Sequence, residues 1–284
     1  MKHFIAFFLL LQGLSTLGCT YSGEPQKPNA TIPYPQQDMV WNFESSPFWF
    51  DEFDYQGLPD SSKWSYDIGG NGWGNNELQY YTDDKKNVVV SDGILSINAI
   101  KEEHEGKNYT STRLVSKFKG DLLYGRVEVR AKVPAGRGTW PAIWMLPTDW
   151  EYGGWPSSGE IDIMEHVGYD INKIHISTHS EAHCWRIGTG RTSTKVIENA
   201  TTEFHLYRID WTPYAIKGYI DDVHIFTSIN EGTGYKSWPF DKRFHLILNV
   251  AIGGDWGGQQ GVDDAIFPVS MEVDYVRFFK LISK

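Results

Sequence analysis

From Met39 to Lys284 the dominant pattern has a period of two. Arg126–Val133 alternates polar with apolar residues, as do Ser111–Lys117, His205–Trp211 and Met271–Phe279. Successive residues of a strand face opposite sides of a sheet, so each run reads as a strand with one buried side. Ala215–Phe226 alternates too, broken at Asp221-Asp222 by a turn-like pair. Phe244–Ile252 is almost continuously apolar, as expected where both faces of a strand are covered. Gly, Asn and Asp clusters separate these runs, and no stretch carries an amphipathic helical period. The pattern predicts an all-β chain of two stacked antiparallel curved sheets, one of them with a concave face.

With no second linker and no fixed-period repeat, residues 39–284 read as a single domain. Hydrophobic residues make up 40% and charged residues 22%, which predicts a packed core and excludes bulk disorder. The net charge of −10 argues against a nucleic-acid partner, which would need a basic face. Two cysteines cannot build a disulfide framework or a four-thiolate metal site. A monomer is the default expectation.

Residues 1–18 read as an export signal. Lys2 and His3 precede an apolar run from Phe4 to Leu11, which is too short to span a bilayer. Leu17-Gly18-Cys19 resembles the processing site of a bacterial lipoprotein, which would make Cys19 the acylated first residue of the mature chain. The expected location is therefore the cell surface or outer membrane as a lipoprotein, with plain secretion as the alternative. Residues 19–38 hold Pro25, Pro28, Pro33 and Pro35 among polar residues and read as a tether. Lipidation of Cys19 would leave Cys184 without a partner, as a buried thiol.

The chemistry concentrates in Ser158–His166. On a strand, Glu160 and Asp162 share a face, and Ile161 and Ile163 point into the core. Glu165 is out of register, and one extra residue around Met164, a β-bulge, returns it to the face of the other two acids. Like charges at short range raise one pKa, so one carboxyl can stay protonated while another is ionised. Glycoside hydrolysis needs such a pair, a carboxylate nucleophile and a carboxylic acid for the leaving oxygen. The two Glu Cα atoms come out roughly 13 Å apart along the strand, a gap that inward-reaching side chains can narrow. A solvated acidic edge strand is the bland alternative, and the apolar residues among the acids argue against it.

Here the chain resembles glycoside hydrolase family 16, and within it the bacterial laminarinase-like endo-β-1,3-glucanases. The resemblance rests on Trp73–Tyr80, Tyr124–Arg126, Gly138–Pro147, Gly159–His166, Asn249–Gly258 and Met271–Arg277, in that order. It implies a jelly-roll sandwich with a concave substrate cleft and retention of configuration. It implies Glu160 as nucleophile, Glu165 as acid/base and Asp162 as an assisting group. It also implies substrate contacts from Asn75 and Arg113, and from Trp140, Trp144 and Trp155. Trp73 and Trp256 sit in Gly-rich loops that would rim the cleft. Sugar rings present apolar C–H faces to indole, which suits the Trp content.

His175, Ser177 and His179 alternate on the next expected strand, with His183 beyond. A zinc site is conceivable on residue types; a strand beside three acids more simply places His179 in the cleft, with His166 next to Glu165. No cofactor is expected for catalysis. The resemblance does imply a structural calcium at Glu52, the Gly93 backbone and Asp274, a set of oxygen ligands that suits a hard cation. The expected activity is retaining endo-hydrolysis of β-1,3-glucan, extending to mixed-linkage β-1,3-1,4-glucan. The alternatives are a hydrolase of a red-algal galactan (agarose, porphyran or carrageenan) and a sugar-binding sandwich without catalysis. Sulfated galactans would favour a cationic cleft, and a binding module would lack the two glutamates.

Overall fold

The computed structural model describes residues 41–282. The signal at 1–18, Cys19 and the tether to residue 38 lie outside the described residues. Nineteen strands and two single-turn 3-10 helices, Trp185–Ile187 and Asp264–Ile266, make up the regular structure among the described residues.

One sheet runs in the order β14 (Arg191–Val196), β13 (Lys173–His179), β12 (Glu160–His166), β11 (Thr139–Pro147), β18 (Phe244–Ile252), β8 (Arg113–Val115) and β3 (Ser65–Tyr66). β9 (Asp121–Leu122) also pairs with β18. The second sheet runs β17 (Val223–Ile229), β16 (Ala215–Ile220), β15 (His205–Trp211), β10 (Gly125–Lys132), β19 (Val269–Ile282), β6 (Ile94–His104), β7 (Lys107–Ser111) and β4 (Gln79–Tyr81). Three short strands join its flanks, β1 (Asn42–Phe43) and β2 (Trp49–Asp51) on β19 and β5 (Val88–Ser91) on β6.

The core lies between the sheets. In β18, Phe244, Leu246, Leu248, Val250 and Ile252 enter it, while His245, Ile247, Asn249 and Ala251 face the other way. All nine residues are buried, and on the far face Asn249 and Ala251 lie at the floor of a cleft. From the second sheet, Val127, Val129, Tyr207, Ile209, Val273 and Val276 complete the core. The β16–β17 hairpin turns at Asp221 and Asp222, both with positive φ, as the turn-like pair in the sequence predicts.

Two expectations need correction. The sheets are not wholly antiparallel, because β4 runs parallel to β7. β5 and β6 intervene between them, so the chain re-enters in the same direction. Ser111–Lys117 is not one alternating strand either. The chain leaves the second sheet after Ser111, turns through Thr112, and joins the first sheet at Arg113. Tyr109 through Ser116 are all buried, since a segment crossing between packed sheets has no solvent face.

Candidate active site

The outer face of the eight-stranded sheet floors a cleft of about 840 Å³. β12 crosses it with the bulge that the spacing of its acids requires. Ile163 and Met164 both turn into the core, and the pairing with β13 shifts between Asp162 and Glu165. Glu160 then pairs with His179, Asp162 with Ser177 and Glu165 with His175. On the other side Ala142 stands beside Glu165 and Asn249 beside Ala142. Arg113 continues that row on β8. The small Ala142 leaves room on the floor next to Glu165.

The loop before β12 returns Trp155 over the strand, and its Nε1–H donates to Glu160 Oε2 at 3.0 Å. That return needs a glycine at 159, where φ is +89° and a Cβ would lie 2.8 Å from Pro239 Cγ. Trp140, from β11, donates its Nε1–H to Glu165 Oε1 at 3.1 Å. Each glutamate thus carries one indole donor.

Asp162 lies between them, 1% exposed, with no hydrogen bond to its Oδ2. His179 Nε2 sits 3.3 Å from that oxygen and 3.8 Å from Glu160 Oε1. Burial, then repulsion from Asp162, pushes Glu160 up to about 8, against the pull of His179 and the Trp155 donor. Burial raises Asp162 to about 8, and burial followed by Asp162 does the same for Glu165. Three such acids cannot all be charged near neutrality, so the cluster holds protons there. The negative charge is best stabilised at Glu160, which has both Trp155 and His179 beside it. Glu165 feels His179 without a recorded contact to it and has the Trp140 donor as its one recorded hydrogen bond, which suits a group that gives and takes a proton.

Asn75, Arg113, Trp140, Trp144, Trp155, His179 and Trp256 all line the cleft. The Arg113 guanidinium is stacked between Trp73 and Trp144, 4.7 and 4.8 Å from the ring centroids, with Nε 3.1 Å from Asp67. It is 9% exposed, so it stiffens two indoles as well as offering donors. Trp256 stands edge-on to both Trp140 and His175. Its loop is tied to the Asn75 loop, where Asp255 N donates to Asn75 O at 2.7 Å and Asn76 Nδ2 to Asp255 Oδ1 at 2.8 Å.

Beneath the Trp144 end runs a buried polar chain that the sequence reading did not single out. Trp144 Nε1 donates to Asn249 Oδ1, Asn249 Nδ2 to Tyr81 OH, and Tyr81 OH to Glu77 Oε2. Glu77 also accepts from Gln79 and Asn75, and burial raises its pKa. Glu77, Gln79 and Tyr81 stand two residues apart, a spacing that could have flagged three polar side chains turned inward.

Other expected residues fall elsewhere. His166 turns away from the cleft, 0% exposed, and its Nε2 accepts from Asn172 N, because the bulge that returns Glu165 sends its successor to the opposite face. Among the described residues, the His/Cys/Asp/Glu group compact enough for a metal ion is Glu160, Asp162 and His179, rather than a histidine set. Cys184 is buried and free. In the expected calcium set both carboxylates face arginines. Arg277 takes both oxygens of Glu52 at 2.7 Å, and Asp274 is paired with Arg130. Gly93 forms the β5–β6 turn with φ +79°.

The profile of Glycosyl hydrolases family 16 matches residues 73–277. A beta-glucanase of Rhodothermus marinus is 47% identical over 272 residues, covering 93% of this chain and 91% of that protein. The crystal structure of the laminarinase from Rhodothermus marinus superposes with a TM-score of 0.83 at 48% identity, over 86% of this chain and 100% of that one. The laminarinase from Flavobacterium sp. UMI-01 superposes with a TM-score of 0.76 at 37% identity, over 83% of this chain and 100% of that one. The chain belongs to glycosyl hydrolases family 16.

Proposed function

We propose that this chain is a retaining endo-hydrolase of β-1,3-glucan, with mixed-linkage β-1,3-1,4-glucan as a further substrate. The observation that carries the reading is the trio Glu160, Asp162 and Glu165 on one cleft face, each glutamate held by a tryptophan N–H. The names of the relatives, a beta-glucanase and two laminarinases, support the substrate class.

Glu160 attacks the anomeric carbon while Glu165 protonates the departing glycosidic oxygen, leaving the sugar on Glu160 as an ester. Glu165, now ionised, takes a proton from water, which attacks the same carbon and releases a product of retained configuration. His179 and the Trp155 donor favour the ionised form of Glu160 between turnovers, and Asp162 tunes it by opposing that charge. Asn75, Arg113, Trp140, Trp144, Trp155 and Trp256 hold the glucan, the indole faces against C–H faces and the Asn75 and Arg113 side chains toward hydroxyls. A structural calcium at Glu52, Gly93 and Asp274 would compete with Arg277 and Arg130 for the two carboxylates, and the reaction itself uses none of these residues.

The test is reducing-sugar release from laminarin, lichenan, agarose and carrageenan, with Glu160→Ser as the blank. Release from laminarin above the others is expected; release from a galactan alone would overturn the substrate reading. We extend the proposal to export as a monomeric lipoprotein on sequence grounds. Mass spectrometry of the membrane fraction should find an acylated Cys19, and a mature chain in the medium with an unmodified N-terminus would refute it.

A further inference from the structure

Beyond Trp155, at the Glu160 end of the cleft, the loop from Ser180 to Gly190 carries an aromatic that nothing in the catalytic machinery uses. Trp185 lines the cleft yet is 56% exposed, with its ring centroid 6.3 Å from that of Trp155 and tilted by 41°. The Arg186 guanidinium sits beside both indoles, 4.3 Å from the Trp155 ring centroid and 5.4 Å from that of Trp185. Arg186 sits nearer Trp155, and Trp185 is the more exposed of the two rings and the outward platform.

The loop is built to hold that platform still. Cys184 anchors it in the interior, and Thr189 Oγ1 donates to Ala182 O at 2.9 Å while accepting from Cys184 N at 3.3 Å. Gly188 closes the single helical turn in the left-handed region and returns its N–H to Trp185 O. At the base, Arg191 bonds His183 Nε2 at 2.9 Å and Ile229 O at 2.9 Å, and pairs with Glu231. A large exposed apolar ring on a braced loop, continuous with a carbohydrate cleft, loses little conformational freedom on meeting a sugar face.

We propose that Trp185, with Arg186 beside it, forms a distal carbohydrate subsite that takes a glucosyl residue one position beyond the one held at Trp155. The proposal rests on the β-glucanase reading above. It makes the Glu160 end of the cleft longer than the catalytic trio and its two tryptophan donors require. The ligand chemistry is a neutral pyranose, its C–H face on the indole and its hydroxyls within reach of the guanidinium donors.

The experiment compares kcat/KM on polymeric laminarin with kcat/KM on a β-1,3-linked disaccharide, which when cleaved spans only the Trp155 position and its neighbour across the scissile bond, for the parent chain and Trp185→Ala. A long substrate reaches Trp185 and a short one does not. The ratio of the two is expected to fall about 3- to 10-fold in Trp185→Ala, from loss of one aromatic–sugar contact. Ile187→Ala, an exposed neighbour on the same loop that does not line the cleft, is expected to keep the parent ratio. An unchanged ratio in Trp185→Ala overturns the subsite, and so does an equal fall in Ile187→Ala, which would point to the loop as a whole. A parent chain inert on laminarin would instead strike the glucanase reading itself, and the subsite with it.

Discussion

Glu160→Gln should cost the protein its activity and raise its stability. The parent carboxyl ionises near 4.5 in an unfolded chain but near 8 in the fold, held back by burial and by Asp162. A folded-state value above the unfolded one penalises the fold as pH rises from 4.5, and the penalty is complete above about 8. At pH 7 linkage puts it at about 3 kcal/mol for an isolated group. Asp162 and Glu165 share that strain, so a gain of about 2–3 kcal/mol is the expectation for the amide. The amide side chain keeps an oxygen for the Trp155 donor and places its N–H₂ where Oε1 lies, 3.8 Å from His179 Nε2. For a chain of this size the gain corresponds to about 4–12 °C in Tm at pH 7. At pH 4 parent and variant should melt within a degree or two, because neither then carries the charge. Thermal denaturation of both proteins at the two pH values decides the matter. A variant no more stable than the parent at pH 7, or a gain equal at both pH values, would refute a desolvated carboxylate as the source.

Further consequences concern single residues. Trp155→Phe removes the N–H donor to Glu160 and raises that carboxyl further, so the acidic limb of kcat/KM against pH should move up by about one unit. Trp140→Phe does the same for Glu165, and there the alkaline limb should move up; limbs that stay in place would disconnect the indoles from the acids. Gly168→Ala puts a Cβ 1.7 Å from Gly136 O, so the backbone between β12 and the approach to β11 must shift. A loss of about 3 kcal/mol in urea titration is expected, and a loss under about 1 kcal/mol would show that the backbone yields easily. Calcium and a chelator should give the same Tm, since Glu52 and Asp274 are engaged by Arg277 and Arg130. A rise in Tm with calcium would show that the arginines are displaced.

Strand periodicity made much of this site legible. Glu160, Asp162, Glu165 and the bulge at Ile163-Met164 follow from two-residue alternation and one break in it. His179 beside Glu160 follows from alternation on the adjacent strand. Contacts between distant elements were not legible. The indole N–H donors of Trp140 and Trp155 could equally have been sugar platforms alone, and Arg113 between Trp73 and Trp144 needs three separate segments to converge. Thr112 hid its crossing between sheets because continuous burial there masks the change of face. Glu77 is not legible either, because a lone acid in a polar loop motif gives no hint that Tyr81, Gln79 and Asn75 will enclose it.

The central claim is double displacement at Glu160 with Glu165 as acid and base. Proton NMR during hydrolysis of a β-1,3-gluco-oligosaccharide reads it directly, through the anomeric signal of the newly formed reducing end before mutarotation. The β-anomer should appear first, with the α-anomer growing in later. An initial α-anomer would mean direct attack by water, and it would remove Glu160 from the nucleophile's role.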